Sequence, residues 1–161
     1  ARSSAPRARC KGVVPDMAMD RQGTGLAIIR MSVGVFFIFE GLGKWRWFAD
    51  SSILANQLAG WQHAVAPGSA SAAYLERVAV PFVGVFARLV PLAELCSGIA
   101  LVVGFWTPLV AGLAFFMALN FLFASGALFK YSFLSNPYGL PVLGSTLGLA
   151  IGGTRLPWSI R

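Results

Sequence analysis

FFIFEGLGKWRWF, Phe36 to Phe48, is the stretch on which the fold turns. Apolar residues lead into Glu40 and Lys44, whose i, i+4 spacing puts both charges on one face of a helix, with the acid on the N-terminal side. Trp45, Arg46 and Trp47 follow directly. Tryptophans and cations at the end of an apolar helix suit a membrane-water interface, where the ring is amphipathic and the long cationic side chain reaches the headgroups. The helix is expected to leave the bilayer near Lys44, which puts Glu40 about 6 Å inside that boundary. A carboxylate at that depth needs a partner.

Upstream, Thr24 to Lys44 is apolar except for Arg30 and Glu40, long enough to cross a bilayer as one helix. Residues 1–22 read as a basic cytoplasmic tail without a signal-peptide core, and the start at Ala1 rather than at a methionine leaves room for an upstream piece. Residues 23–161 form the membrane domain. After the first span, Asp50, Ser51 and Ser52 offer helix caps, and Ile53, Leu54, Leu58 and Trp61 recur at helical spacing, as expected for a short helix lying on the membrane face. Beyond Pro67-Gly68, Ser69 to Val80 is expected to form a second short helix ending before Pro81.

Residues 95–129 contain no charge, which is too long for one crossing. Gly104-Phe-Trp-Thr-Pro108 supplies the break, with Thr107 as N-cap and Pro108 at the first helical position, so spans are expected over 83–104 and 108–128. Asn136-Pro137 marks a turn, and a fourth span over 138–154 carries Gly144, Gly148 and Gly152 as a helix-packing face. The expected fold class is all-α and integral to the membrane: a four-transmembrane-helix bundle with a longer, partly helical outer loop between the first two spans.

Composition agrees, since 57% of residues are hydrophobic and only 12% charged, with a mean hydropathy of +0.69. That balance excludes an ordinary soluble domain. The net charge of +7 does not point to nucleic acid, because the basic residues gather at the termini and helix ends and make no patch with spaced aromatics. Seven Lys and Arg fall on the side of the termini and four on the side of Lys44, which puts both termini in the cytoplasm of a bacterial-type inner membrane. Cys10 and Cys96 form neither a CxxC pair nor a disulfide framework.

Six polar side chains fall within the spans: Arg30, Glu40, Arg88, Glu94, Ser97 and Asn120. Counted from the outer face, Glu40 and Arg88 lie about 6 to 8 Å deep, and Glu94 and Asn120 about 12 to 17 Å deep. Two polar layers are expected, Glu40 with Arg88 and Glu94 with Asn120, with Lys44 beside Glu40 at the outer end. They serve either as locks between helices or as a ligand or proton site, and both readings stay open. Arg30, about 9 Å from the inner end, is expected to snorkel to the headgroups. Pro91 bends the second span.

EGLGKW in the first span, RLVPLAELCSGIALVVGFWT in the second, then LNFLFASG and NPYGLPVLG ahead of a Gly-rich helix, resemble the DoxX family of small four-helix membrane proteins over about residues 24–158. The long first loop and GKWRWF are more similar to its DoxD-type members, the membrane subunit associated with thiosulfate:quinone oxidoreductase. Glu40, Lys44, Arg88, Glu94 and Asn120 occupy the positions of the family's polar pattern. The resemblance implies a membrane subunit of a quinone-linked redox system.

Quinone reduction needs donors at the carbonyl oxygens, a proton route and an electron source. Arg88 and Asn120 are the candidate ligand-binding donors, Glu94 the candidate catalytic proton relay, and Phe115, Phe116, Phe121 and Phe123 the candidate walls of an apolar slot. The sequence holds one histidine, His63, in the loop, and no dinucleotide fingerprint, cysteine cluster or metal-ligand set, so no cofactor is bound covalently or by motif and the expected ligand is a quinone. Alone, the chain is not a complete oxidoreductase. Cys96, in apolar surroundings, reads as an inert thiol, and His63 as a surface residue. The expected partners are the lipid bilayer and other membrane or redox subunits. The alternative function is a non-catalytic accessory or scaffolding subunit packed on a larger membrane complex.

Overall fold

The computed structural model describes residues 15–136, 138–154 and 156–160. Among them there is no strand, and three helices are long and apolar enough to cross a membrane: Arg21–Gly43 within α1 (Pro15–Gly43), α4 (Val83–Val103) and α5 (Thr107–Ala124). Outward positions on these helices are apolar too, among them Phe39, Leu89, Leu113 and Phe116, which is the pattern of helices solvated by lipid. The chain is therefore a membrane protein in contact with the bilayer. A shorter apolar helix, α6 (Leu140–Gly152), follows. Its 13 residues span about 20 Å, less than a hydrocarbon core of about 30 Å.

Helix boundaries shift from those read in the sequence. The chain is already helical at Pro15, inside the stretch read as a tail, while residues 1–14 of that tail lie outside the described residues. Helix α5 begins at Thr107 with Trp106, not Thr107, as N-cap, and it stops at Ala124 because Gly126 turns the chain at φ 67°.

Helix α1 packs on α4 and α6, and α5 packs on the same two, so the four apolar helices close a ring. Its interior holds Phe37, Leu101, Leu122 and Leu149, with Ala111, Ala114 and Ala118 as the small-residue stripe that lets α5 approach its neighbours. The tightest seam joins α1 to α4. Gly34 and Gly98 face each other: a Cβ on Gly34 would lie 2.8 Å from the Gly98 carbonyl oxygen, and one on Gly98 would lie 2.7 Å from that of Gly34. One heptad further, a Cβ on Gly41 would lie 2.8 Å from the Pro91 carbonyl oxygen. These three glycines went unread in the sequence. The predicted stripe does not make the contact: Gly144 and Gly148 are exposed with nothing within 4 Å of a Cβ, and Gly152 meets only the Leu26 side chain at 3.7 Å.

Gly41 against Pro91 and Leu95 sets the register, and it leaves α4 extending about 12 Å beyond the end of α1. The overhang is covered by the loop. A short 3-10 turn, Trp45–Phe48, leads to α2 (Ser52–Ala64), which buries Leu54 and Leu58 and half-buries Trp61 as its spacing predicted. Asp50, not a serine, serves its N-terminus, its carboxylate accepting the Ser52 amide at 2.9 Å. Then α3 (Ala70–Tyr74), capped by the Ser69 hydroxyl, runs into a π-helical turn over Leu75–Ala79. Lys130 donates to the last-turn carbonyl of Ala64 at 2.7 Å and pins α2 across the end of α5.

Candidate functional site

On α1 the seam positions Gly34, Phe37 and Gly41 recur every three to four residues, and the next is Lys44. On α4 the matching stripe is Pro91, Glu94 and Gly98. The same small residues that bring the backbones together thus aim a lysine and a glutamate into one seam. Lys44 Nζ donates to Glu94 at 2.8 and 2.9 Å, to Glu40 Oε2 at 2.7 Å and to the Tyr138 hydroxyl at 2.6 Å. Glu94 has no exposed surface, and the Lys44 and Glu40 side chains are 14% and 31% exposed, so the cluster runs from the interior to its rim.

Tyr138 is the member that sequence reading missed, although NPYG was noted as a turn. That turn is what places it: Asn136 accepts the Tyr138 amide on its side chain at 2.9 Å and the Gly139 amide on its carbonyl at 2.8 Å. Gly139 is required there, because a Cβ would collide with the Phe133 carbonyl oxygen. The phenol sits 2.6 Å from Glu40 Oε2 and 2.9 Å from Glu94 Oε1, and its single proton serves one of them at a time. Phe121 stacks on the Tyr138 ring with centroids 5.4 Å apart, and Phe36 meets it edge-on. The Lys44 ammonium lies 5.3 Å from the Tyr138 ring centroid, 5.7 Å from that of Phe121 and 6.0 Å from that of Trp47. Cation-π attraction adds to the ion pairs.

Charge counting describes what the cluster does chemically. Two carboxylates around one ammonium leave one negative charge, and one added proton leaves none. Each carboxylate oxygen that takes part faces the ammonium, the phenol or both.

The predicted layers are rearranged. Glu40 pairs with Lys44 and Tyr138 rather than with Arg88, and Glu94 pairs with Lys44 and Tyr138 rather than with Asn120. Both misassignments come from measuring depth as though α1 and α4 ended in one plane. The overhang of α4 moves Glu94 level with Glu40 and carries Arg88 past the end of α1, where it is exposed and donates to the Gly84 carbonyl at 3.0 Å on its own helix. Asn120 is exposed in a groove of about 340 Å³ between α4 and α5, with Ser97, Phe86, Val90, Met117 and Phe121 along it. The four phenylalanines do not wall one slot: Phe115 packs on the bundle core, Phe116 faces out, Phe121 bridges groove and cluster, and Phe123 meets Tyr74. Cys96 is exposed on α4 rather than buried, and His63 is exposed on α2.

Arg30 does not snorkel. It is fully buried, its Nη1 donating to the Ser159 hydroxyl and its Nη2 to the Trp158 carbonyl at 2.8 Å. Among the described residues no group of His, Cys, Asp and Glu is arranged to hold a metal ion. Residues 25–126, well over half of the chain, match the family model described as DoxX. No curated protein and no solved structure matches.

Proposed function

The chain belongs to the DoxX family of membrane proteins, and within it we propose that this protein is the membrane subunit of a quinone-linked redox system, with Lys44, Glu40, Glu94 and Tyr138 as its proton-handling centre. The observation that carries this reading is the ammonium of Lys44 held between two carboxylates and a phenol. A purely structural lock needs one acid for one base; a second acid and a phenol give a set that exchanges a proton.

The groove between α4 and α5 is the place for the quinone ring. It opens to lipid, is apolar except for Ser97 and Asn120, and includes Phe121, whose ring stacks on Tyr138. Asn120 donates to a ring carbonyl, and the cluster, one aromatic ring away, supplies the protons. Arg88, which does not line this groove, has no part in the site. Electrons come from a partner subunit, so the chain is one component of an oxidoreductase. In this reading α6 is the fourth crossing, made short by local thinning of the bilayer, and both termini are cytoplasmic in a bacterial-type inner membrane.

The exposed face of Gly144, Leu147, Gly148 and Ile151 on α6 favours a second reading, an accessory subunit docked on a larger membrane complex. Purification in mild detergent separates the two. Copurifying quinone, lost on Asn120→Leu while the fold is kept, supports the redox subunit. Large membrane subunits without quinone would contradict it.

A further inference from the structure

We infer that the end of the bundle opposite the Lys44 cluster holds a binding site for the phosphodiester of an anionic phospholipid. Arg30, in the middle of α1, has no exposed surface. A guanidinium remains charged at any ordinary pH. Its partners, the Ser159 hydroxyl and the Trp158 carbonyl, are neutral, its Nε has no partner, and among the described residues no carboxylate pairs with it. A buried charge that no carboxylate among the described residues offsets is costly, and an anion nearby would lower that cost.

On the other side of its hydrogen-bond partners opens a cavity of about 550 Å³, lined by Gly104, Trp106, Thr107, Thr154, Trp158 and Ser159 among others but not by Arg30 itself. Three of these hold the guanidinium. Ser159 and Trp158 accept its hydrogen bonds, and Gly104, at φ 81°, leaves the room that a Cβ would take from it. The opposite wall is the first turn of α5, an 18-residue helix starting at Thr107. Pro108 in that turn has no N–H, but the amides of Thr107 and Leu109 have no acceptor within the helix and sit at the positive end of its dipole. Hydroxyls of Thr107, Thr154 and Ser159 add neutral donors, and no acidic side chain among the described residues lines the cavity.

An anion with several acceptor oxygens matches that wall chemistry, and the rim says which kind. Trp106 and Trp158 are 62% and 64% exposed and flank the opening, with Phe105 and Ile160 exposed next to them. Indoles beside apolar side chains belong at headgroup level, where a lipid places its phosphate in the cavity and its chains along the outside. Both tryptophans are held at positive φ, 40° and 55°, a conformation uncommon for such residues that turns the chain around the opening.

The test uses the full chain in nanodiscs of phosphatidylcholine, of phosphatidylcholine with phosphatidylglycerol, and of phosphatidylcholine with inorganic phosphate in the buffer. Thr154→Glu puts a carboxylate into the cavity from an exposed position; Thr154→Gln controls for size, and Ser52→Glu, at the other end of the bundle, controls for net charge. Wild type is expected to melt higher with phosphatidylglycerol and to retain it in native mass spectrometry. Thr154→Glu should lower that retention about tenfold, with both controls at the wild-type level. Equal retention by wild type and Thr154→Glu, or an equal loss in Ser52→Glu, would overturn the site. Stabilisation by inorganic phosphate equal to that by phosphatidylglycerol would overturn the lipid assignment.

Discussion

Lys44 and Glu94 lie 50 residues apart in the chain and meet at 2.8 Å, joining the end of α1 to the middle of α4. Glu94 is wholly buried, so the ammonium is its only countercharge among the described residues. Removing Lys44 leaves two carboxylates facing each other in a low-dielectric seam. Lys44→Met is expected to destabilise the protein by about 3 to 5 kcal/mol in detergent unfolding, and Lys44→Met with Glu94→Leu to recover most of the loss. A single Lys44→Met variant as stable as wild type would mean that the pair is not formed in solution.

The α1–α4 seam depends on the absence of side chains at Gly34, Gly41 and Gly98. Gly34→Val or Gly98→Val should cost about 1 to 3 kcal/mol through overpacking. Gly148→Leu, on the open face of α6, should stay within about 0.5 kcal/mol for the isolated chain. Parallel unfolding curves for the three variants check this, and a reversed order would place the packing face on α6.

How much of this was legible in the sequence follows from what kind of information each feature needs. The three long apolar helices, the amphipathic α2 and the break at Gly104 are local patterns, so their existence is legible in the sequence, whereas the start of α1 at Pro15 and the end of α5 at Ala124 fall more than a turn from the expected bounds. The polar residues of the candidate site were picked out as well, Glu40, Lys44 and Glu94 among them. Their partners were not, because partnering depends on the register of α1 on α4, and that register is set by three isolated glycines rather than by a GxxxG pair. Reading Gly34, Gly41 and Gly98 as a heptad-spaced seam would have levelled Glu94 with Glu40. Tyr138 was hidden for a different reason. It belongs to a turn, and only the packing of α6 against α1 brings its hydroxyl to Lys44.

Outside the membrane, the Ser52 side chain and then the Ser52 amide hold the Asp50 carboxyl below the usual carboxylate range by hydrogen bonding to it. A depressed carboxylate stabilises the fold above its unfolded-state value of about 3.9 and ceases to as the pH falls through its folded-state value. The Ser52 amide resonance should therefore titrate with a midpoint below about 3.9, and Asp50→Asn should abolish the titration. A midpoint at or above that value would show that the cap is open in solution.

Tyr138→Phe removes one hydroxyl while leaving the stacked Phe121 and the edge-on Phe36 in place. The expected loss is about 1 to 3 kcal/mol, since Lys44 and one carboxylate each lose a buried partner. In the proposed redox role the same change slows quinone-linked turnover more than it lowers protein level. Equal, proportionate losses of both would reduce Tyr138 to a packing residue.

Infrared difference spectroscopy tests the proton-handling centre most directly. Protein assembled with its partner subunits is recorded with the quinone oxidised and then reduced, in wild type, Glu94→Gln and Glu40→Gln. A change in the protonated-carboxyl band on reduction, present in wild type, lost in Glu94→Gln and accompanied by loss of turnover at matched protein level, is the predicted result. The same spectrum and the same turnover in wild type and Glu94→Gln would contradict it, and leave Lys44 and Glu94 as a lock between two helices.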